Sequence, residues 1–155
     1  MVEPYYNKVK DFGMEFYSDG MGGVSYGGLS LFHTTNGAYT GNIIATEQAK
    51  KAMITRYIPG ELLESIQSEV CVQLGKVFDG KYCGPFGLDM MIVTGGDQHH
   101  PCKLHPCVEI NLRRTMGHVA LSLCRILNPT NDDDQLRTMR IEYTNNNYRF
   151  RIKHL

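Results

Sequence analysis

Residues 84–93 read GPFGLDMMIV and residues 106–117 read PCVEINLRRTMG, and these two stretches decide the fold. The apolar run 88–93 and the alternation of apolar and polar residues over 107–112 predict two β-strands. The turn-forming residues 94–97 predict that the two strands are joined as a hairpin. The sequence therefore indicates neighbouring antiparallel strands in this part of the chain.

The second of these strands carries functional side chains at every second position. Because successive side chains of a strand alternate between its faces, Glu109, Asn111 and Arg113 are expected on one face. The side chains expected in the core are Val108, Ile110 and Leu112. Together with Glu109 and Asn111, Asp89 on the neighbouring strand makes a set of oxygen ligands. Mg²⁺ prefers such ligands, and nucleotide phosphates can complete its coordination shell. An ordinary amphipathic strand with solvated polar residues is the alternative interpretation.

The sequence around these residues resembles the metal-binding end of the ATP-grasp superfamily, which includes D-alanine:D-alanine ligase, biotin carboxylase and glutathione synthetase. The likeness lies in Gly-x-x-Gly-Leu-Asp-Met-Met, which contains Asp89, and in Glu-Ile-Asn-Leu-Arg-x-Thr-Met-Gly, which begins at Glu109. It implies that Asp89, Glu109 and Asn111 bind Mg²⁺, or Mn²⁺, between the protein and the phosphates of ATP. It also implies that Arg113 is a catalytic residue that contacts phosphate or the activated carboxylate.

The resemblance covers about residues 2–127 and implies the architecture. The expected fold class is α+β, with an antiparallel β-sheet covered by helices, as in the C-terminal lobe of the ATP-grasp fold. The N-terminal residues are similar to the hinge strand of that family, which makes Val2 and Glu3 candidate nucleotide-binding residues. We expect a single domain over residues 1–155, with a C-terminal β-hairpin extension at 137–153.

The same resemblance implies an ATP-dependent ligase that joins a small-molecule carboxylate to an amine or thiol through an acyl phosphate. The family also has an N-terminal lobe, with a Lys-bearing strand and a Gly-rich loop over the phosphates. That lobe has no counterpart in this sequence, so we expect a C-terminal portion that is inactive alone and needs the missing lobe as a partner.

Two alternatives to the ligase remain open at this stage. One is a non-catalytic nucleotide-binding or interaction module that keeps the ATP-grasp fold. The other is a zinc-stabilised structural domain built on the His and Cys residues of the segment 99–107.

Composition bears on the class of partner and the cellular location. Sixteen Lys and Arg balance sixteen Asp and Glu among 155 residues, and this balance argues against nucleic-acid binding. The N-terminal residues lack a signal-peptide core, and no apolar run approaches the roughly 18 residues of a membrane span. The five cysteines form no regular disulfide framework, so a cytoplasmic protein without a membrane partner is expected. The sequence leaves homo-oligomer formation open.

The remaining elements are predicted from periodicity, turn residues and caps. Strands are expected at 10–18, 24–35, 137–144 and 148–153, helices at 46–57, 61–78 and 115–127, and a loop at 36–42. The apolar stripe expected to bury the second helix consists of Leu62, Leu63, Ile66, Val70, Leu74 and Val77. The last helix is expected to begin beside Arg113, where Thr115 either only caps the helix or an anion binds as well.

Overall fold

The structure, a computed structural model, describes residues 5–95, 101–127 and 136–155 of the chain. Its strands are β1 (Lys8–Asp19), β2 (Val24–Ser30), β3 (Phe32–Thr35), β4 (Ala38–Ile44), β5 (Cys83–Thr94), β6 (Cys102–Asn111), β7 (Arg137–Thr144) and β8 (Asn147–His154). Its helices are α1 (Glu47–Ile54), α2 (Gly60–Phe78) and α3 (Met116–Leu127). All the strand pairings are antiparallel, which confirms the expected α+β class.

The strands form two four-stranded sheets where one sheet was expected. The first sheet has the order β2-β1-β5-β6 and the second has the order β3-β4-β7-β8. The predicted strand 24–35 is divided because the chain passes from the first sheet to the second at Leu31. The predicted loop 36–42 is wrong. Asn36 and Gly37 have positive φ angles of 52° and 77°, as the tight turn of a two-residue hairpin requires, and β4 follows directly.

The main core lies between the first sheet and the helices α1 and α2. Along the pairing of β1 with β5, buried residues face each other in three pairs: Phe12 with Met90, Met14 with Leu88, and Phe16 with Phe86. The rings of Phe16 and Phe86 are stacked, with their centroids 5.2 Å apart. Each fully buried side chain of this size contributes about 1.5–3 kcal/mol to folding. The β1–β5 pair is therefore the centre of the fold.

Helix α2 has the predicted bounds to within one residue, but its buried face is narrower than expected. The residues of α2 that belong to the core or pack against it are Leu63, Ile66, Val70, Cys71, Leu74 and Phe78. The prediction that Leu62 and Val77 are core residues is wrong, because both are exposed. These two side chains lie at the edges of the apolar stripe, beyond the side of α2 that contacts the sheet.

Strand β6 departs further from the prediction, because its apolar row is not core. Val108, Ile110 and Leu112 are 50%, 40% and 51% exposed. Ile110 is paired with the buried Leu88 and so faces the same side of the sheet as the core, whereas Val108 lies in a bulge of β6 and Leu112 follows the end of the strand. However, α1 and α2 pack over β1 and β2, and β6 lies at the far edge of the sheet. The predicted orientation is thus confirmed for Ile110, but the position of β6 at the edge of the sheet leaves these apolar side chains uncovered.

The second sheet is held to the first by α3. This helix packs against β2 and β4, where Ile44, Ala120 and Met139 form a small second core. The predicted final hairpin is present as β7 and β8, with Asn145 and Asn146 at positive φ in its turn. Because β7 pairs with β4, this hairpin is an integral part of the second sheet. None of the helices in the described ranges has the length and apolar character needed to cross a membrane.

Two glycines of α2 provide a test of the packing. A Cβ at Gly75 would overlap the backbone carbonyl oxygen of Gly22, whereas a Cβ at Gly60 would meet nothing closer than Thr55 Cγ2 at 3.5 Å. We predict that Gly75→Ala lowers the free energy of unfolding by about 1–3 kcal/mol, although alanine has the higher helix propensity.

The matched control Gly60→Ala should leave stability unchanged or raise it by up to about 1 kcal/mol. Urea unfolding followed by circular dichroism gives both values. Equal stability of the two variants would contradict the close approach of α2 to the loop at Gly22.

Candidate functional site

An acidic face lies on the side of the first sheet opposite to the main core. Asp89 on β5 is paired with Gly13 of β1 on one side and with Glu109 of β6 on the other. These three residues therefore form one row across the sheet. The absence of a side chain at Gly13 leaves room for Asp89, whose Oδ1 lies 3.2 Å from the position that a Cβ would take.

A second row lies beside the first on the same face. Gly87 of β5 is paired with Glu15 of β1 and with Asn111 of β6. Asn111 is 8% exposed, and its Nδ2 donates a hydrogen bond to Asp89 Oδ2 at 3.1 Å. Its Oδ1 accepts one from Arg113 Nη2 at 2.9 Å. The carboxamide of Asn111 thus links the acidic row to the guanidinium group.

Strand β6 reaches this face through an irregular pairing. Asp89 is paired with Glu109, whereas Met91 is paired with His105, so β6 bulges over the intervening residues. Pro106 lies within this bulge, on a strand that has a free edge and so tolerates the loss of an N–H donor. The bulge separates the two halves of β6 and places Glu109 opposite Asp89.

Glu15 connects the acidic face to the start of α3. It is 2% exposed, and its Oε2 accepts a hydrogen bond from Thr115 Oγ1 at 2.8 Å. Nδ1 of His118 lies 2.8 Å from the same oxygen, and Nε2 of His118 lies 3.2 Å from the carbonyl oxygen of Phe16. Both ring nitrogens of His118 thus lie beside acceptor oxygens of β1, and a neutral imidazole can donate to one of them whereas an imidazolium can donate to both. A Cβ at Gly117 would overlap Glu15 Oε1, so a glycine is needed there for the helix to come this close.

The two rows open into a cavity of about 290 Å³ between the two sheets. The first sheet and the start of α3 supply its polar wall. The opposite wall comes from β3 and β4 and includes Phe32, Thr34, Tyr39 and Asn42. Tyr39 donates a hydrogen bond to Asn42 Oδ1, and Asn42 Nδ2 donates one to Ser30 Oγ at 2.8 Å. The wall that faces the carboxylates is thus held by its own buried hydrogen bonds.

The pKa of Asp89 reflects its burial and the concentration of carboxylates in the cavity. Burial, and then the neighbouring carboxylates of Glu15 and Glu109, together raise the pKa of Asp89 from 3.8 to about 6. The hydrogen bond from Asn111 and the charge of Arg113 act in the opposite direction but are weaker. Several carboxylates held together with one guanidinium group favour a cation as ligand.

The donor set fits a hard divalent cation. Asp89, Glu109 and the carboxamide of Asn111 offer oxygen atoms, which suit Mg²⁺ or Mn²⁺. Within residues 5–95, 101–127 and 136–155 no three His, Cys, Asp or Glu side chains are arranged to hold a metal ion. Protein ligands to such an ion would thus be two carboxylates and an amide oxygen, and the bound ligand would supply the rest. Asn111 Oδ1 faces Arg113, so this amide would have to share its oxygen or rotate.

The structure brings together four of the residues predicted from the sequence: Asp89, Glu109, Asn111 and Arg113. The predicted nucleotide contacts Val2 and Glu3 lie outside the described residues. Glu15 was not predicted. The available signal was an acidic residue at the position between Met14 and Phe16 in an otherwise apolar strand.

The segment considered for zinc does not assemble a site in its described part. His99 and His100 lie outside the described residues. The ring of His105 packs edge-on against Tyr6, with centroids 5.2 Å apart. Cys102 packs against the main core, and Cys107 is exposed.

The fold is similar to that of known structures, although no protein-family model and no curated protein matches the sequence. A protein from Archaeoglobus fulgidus described as an ATP-grasp superfamily protein has a TM-score of 0.51 at 16% identity, over 97% of this chain and 47% of that chain. Carboxyaminoimidazole synthetase from Staphylococcus aureus has a TM-score of 0.48 at 12% identity, over 90% and 36%. Biotin carboxylase from Campylobacter jejuni has a TM-score of 0.43 at 11% identity, over 90% and 31%.

The first of these similarities confirms the ATP-grasp-type fold that the sequence resemblance implied. The chain spans less than half the length of each of the three structures.

The raised pKa of Asp89 predicts that its ionised carboxylate lowers the stability of the folded protein. Above about pH 6 the folded protein holds this carboxylate ionised in an unfavourable place, and below about pH 4 it is protonated in both the folded and the unfolded state. We predict that Asp89→Asn raises the free energy of unfolding at pH 8 by about 1–2 kcal/mol, a value reduced for the partial solvent exposure of Asp89.

The gain should shrink between pH 6 and pH 4, because the unfolded wild-type chain loses its proton at lower pH than the folded chain. Metal-free thermal and urea unfolding at several pH values measures it. Glu69→Gln, on the exposed side of α2, is the control and should change stability little at any pH. A destabilised Asp89→Asn protein at pH 8 would show that the carboxylate is not strained.

Proposed function

We propose that this chain is the lobe of an ATP-grasp-type ligase that binds a divalent cation and the phosphates of ATP. The observation that carries the proposal is the row formed by Asp89 and Glu109 across β5 and β6, with Asn111 and Arg113 beside it at the cavity. The fold shared with the Archaeoglobus protein supports it. Fold similarity alone does not assign an activity, so the function is argued from the site.

In this proposal Asp89, Glu109 and the Oδ1 atom of Asn111 hold Mg²⁺ or Mn²⁺. The bound ion would neutralise the charge on phosphate oxygens during phosphoryl transfer. Asp89 contributes most when it is ionised, and its raised pKa means that a cation and a proton compete for it. The hydrogen bond between Asn111 Nδ2 and Asp89 Oδ2 keeps the two ligands in a fixed relation.

Arg113 has the role of an anion clamp. Its Nη2 is used to donate to Asn111 Oδ1, and a guanidinium group carries four further N–H donors. Its planar fork suits a phosphate or a carboxylate better than a lysine would. We therefore assign to Arg113 the contact with the transferred phosphoryl group or with the activated carboxylate.

The whole reaction requires more of the nucleotide cleft than the described residues form. We propose that Val2 and Glu3 contact the nucleotide at the hinge, and that a further lobe closes over the phosphates. The intact ligase would join a small-molecule carboxylate to an amine or thiol through an acyl phosphate. In the same proposal this chain alone binds ligand but does not turn it over.

Binding of a non-hydrolysable ATP analogue tests the proposal directly. The wild-type chain is expected to bind the analogue in the presence of Mg²⁺ and at least about tenfold more weakly without it, because unscreened carboxylates repel phosphate. Glu109→Ala and Asp89→Ala should each remove the Mg²⁺ dependence. Isothermal titration calorimetry measures both affinities.

Glu69→Ala is the matched control for these variants, because it removes an acidic side chain from the far side of the molecule. It should bind as the wild type does. If Glu109→Ala and Asp89→Ala also bind as the wild type does, the metal assignment is wrong.

The affinity for the cation alone should depend on pH. Because Asp89 has a pKa of about 6 and must be ionised to bind, the affinity for Mn²⁺ should fall about tenfold between pH 7 and pH 5. Electron paramagnetic resonance of free Mn²⁺ measures this. A constant affinity over this range would exclude Asp89 as a ligand.

A further inference from the structure

Glu15 has no role in the function proposed above, and yet it is the most deeply buried carboxylate of the cavity. Its neighbours leave space for the carboxylate and contact it. Gly87 and Gly117 both lack a side chain where a Cβ would crowd its carboxylate oxygens. Thr115 donates to it, and His118 lies within hydrogen-bonding distance. The carboxylate of Glu15 therefore occupies a buried space that an apolar side chain could fill.

The position of Glu15 gives it a specific electrostatic effect. Thr115 caps α3, since its Oγ1 accepts a hydrogen bond from the backbone N–H of His118 at 3.3 Å. Gly117 lies in the first turn of the same helix. The carboxylate of Glu15 thus lies at the positive end of the helix dipole, where a bound phosphate would otherwise be favoured. The prediction that Thr115 caps α3 is confirmed, and binding of an external anion at this helix end stays a prediction.

We propose that Glu15 is a specificity-determining residue: an internal anion that occupies the positive end of α3 and makes phosphate binding in the cavity depend on a divalent cation. The inference rests on the function proposed above, because it concerns the same cavity. Glu15, Asp89 and Glu109 place three carboxylates in the cavity, where the positively charged or potentially charged groups beside them are the guanidinium of Arg113 and the ring of His118, whose Nδ1 lies 2.8 Å from Glu15 Oε2. A polyphosphate then enters only when a cation offsets the carboxylates, which excludes metal-free nucleotide.

The substitution that isolates this effect is Glu15→Gln. Glutamine keeps the shape of the side chain and an oxygen that can accept from Thr115, but it removes the negative charge. The variant should bind inorganic tripolyphosphate without metal at least about tenfold more tightly than the wild type, because one of the three carboxylates that repel phosphate is removed and the positive end of α3 is no longer offset. Thr115→Val is the matched control. It removes the hydroxyl donor but leaves the charge of Glu15, so metal-free binding should stay as weak as in the wild type.

The experiment is a calorimetric titration of the full chain with tripolyphosphate, with and without Mg²⁺, for the wild type and both variants. Gain of metal-free binding in Glu15→Gln alone supports the proposal. Equal metal-free binding by the wild type and by Glu15→Gln overturns it. Appreciable metal-free binding by the wild type also overturns it, and this second result does not depend on whether a variant folds.

The two proposals fail in different ways in this titration. If Mg²⁺ has no effect on binding by the wild type, the metal site and the dependence on a cation are both wrong, and a gain of metal-free binding in Glu15→Gln then shows only that Glu15 excludes anions. If Mg²⁺ promotes binding by the wild type and Glu15→Gln shows no gain, the metal site stands and the role of Glu15 is overturned.

Discussion

The antiparallel pairing of β1 with β5 is the constraint on which the rest of the structure depends. Each of these strands has twelve residues, and their shared register sets both faces of the first sheet at once. On one face Phe16 stacks on Phe86 in the main core. On the other face Glu15 and Asp89 reach the cavity. Because side chains alternate, a slip of one residue would exchange the faces and bury the carboxylates among the phenylalanines. The apolar core therefore fixes the position of the polar site.

This arrangement concentrates like charges at some cost in stability. Burial together with Glu15 and Glu109 raises the pKa of Asp89 to about 6, so at neutral pH the folded chain holds an ionised group that it disfavours. Asn111 and Arg113 offset only part of this effect. In the function proposed above, a bound cation would offset this repulsion, so that binding would restore the stability that the charged cavity lowers.

Local features of the sequence predict most elements, because caps, turns and periodicity act over a few residues. Thr46 caps α1, Pro59 precedes α2, and the Asn-rich turn joins β7 to β8. Contacts between elements that are distant in the sequence are not determined by these local features. The chain passes from the first sheet to the second at Leu31, and Val108 is exposed because β6 is an edge strand. Neither feature can be predicted from the local sequence pattern. The row of Asp89 and Glu109 could be anticipated because both lie on adjacent strands of one hairpin.

Glu15 could not be assigned from sequence for the same reason. Its partners are Thr115 and His118, about one hundred residues away, and they reach it only because α3 packs across the sheets. The close approach depends on Gly87 and Gly117, whose meaning is visible only once the three segments are together. A single buried acid in an apolar strand is unfavourable unless something pairs with it. Here Glu15 pairs with Thr115 at the start of α3, so the carboxylate that joins β1 to α3 also adds to the negative charge of the cavity.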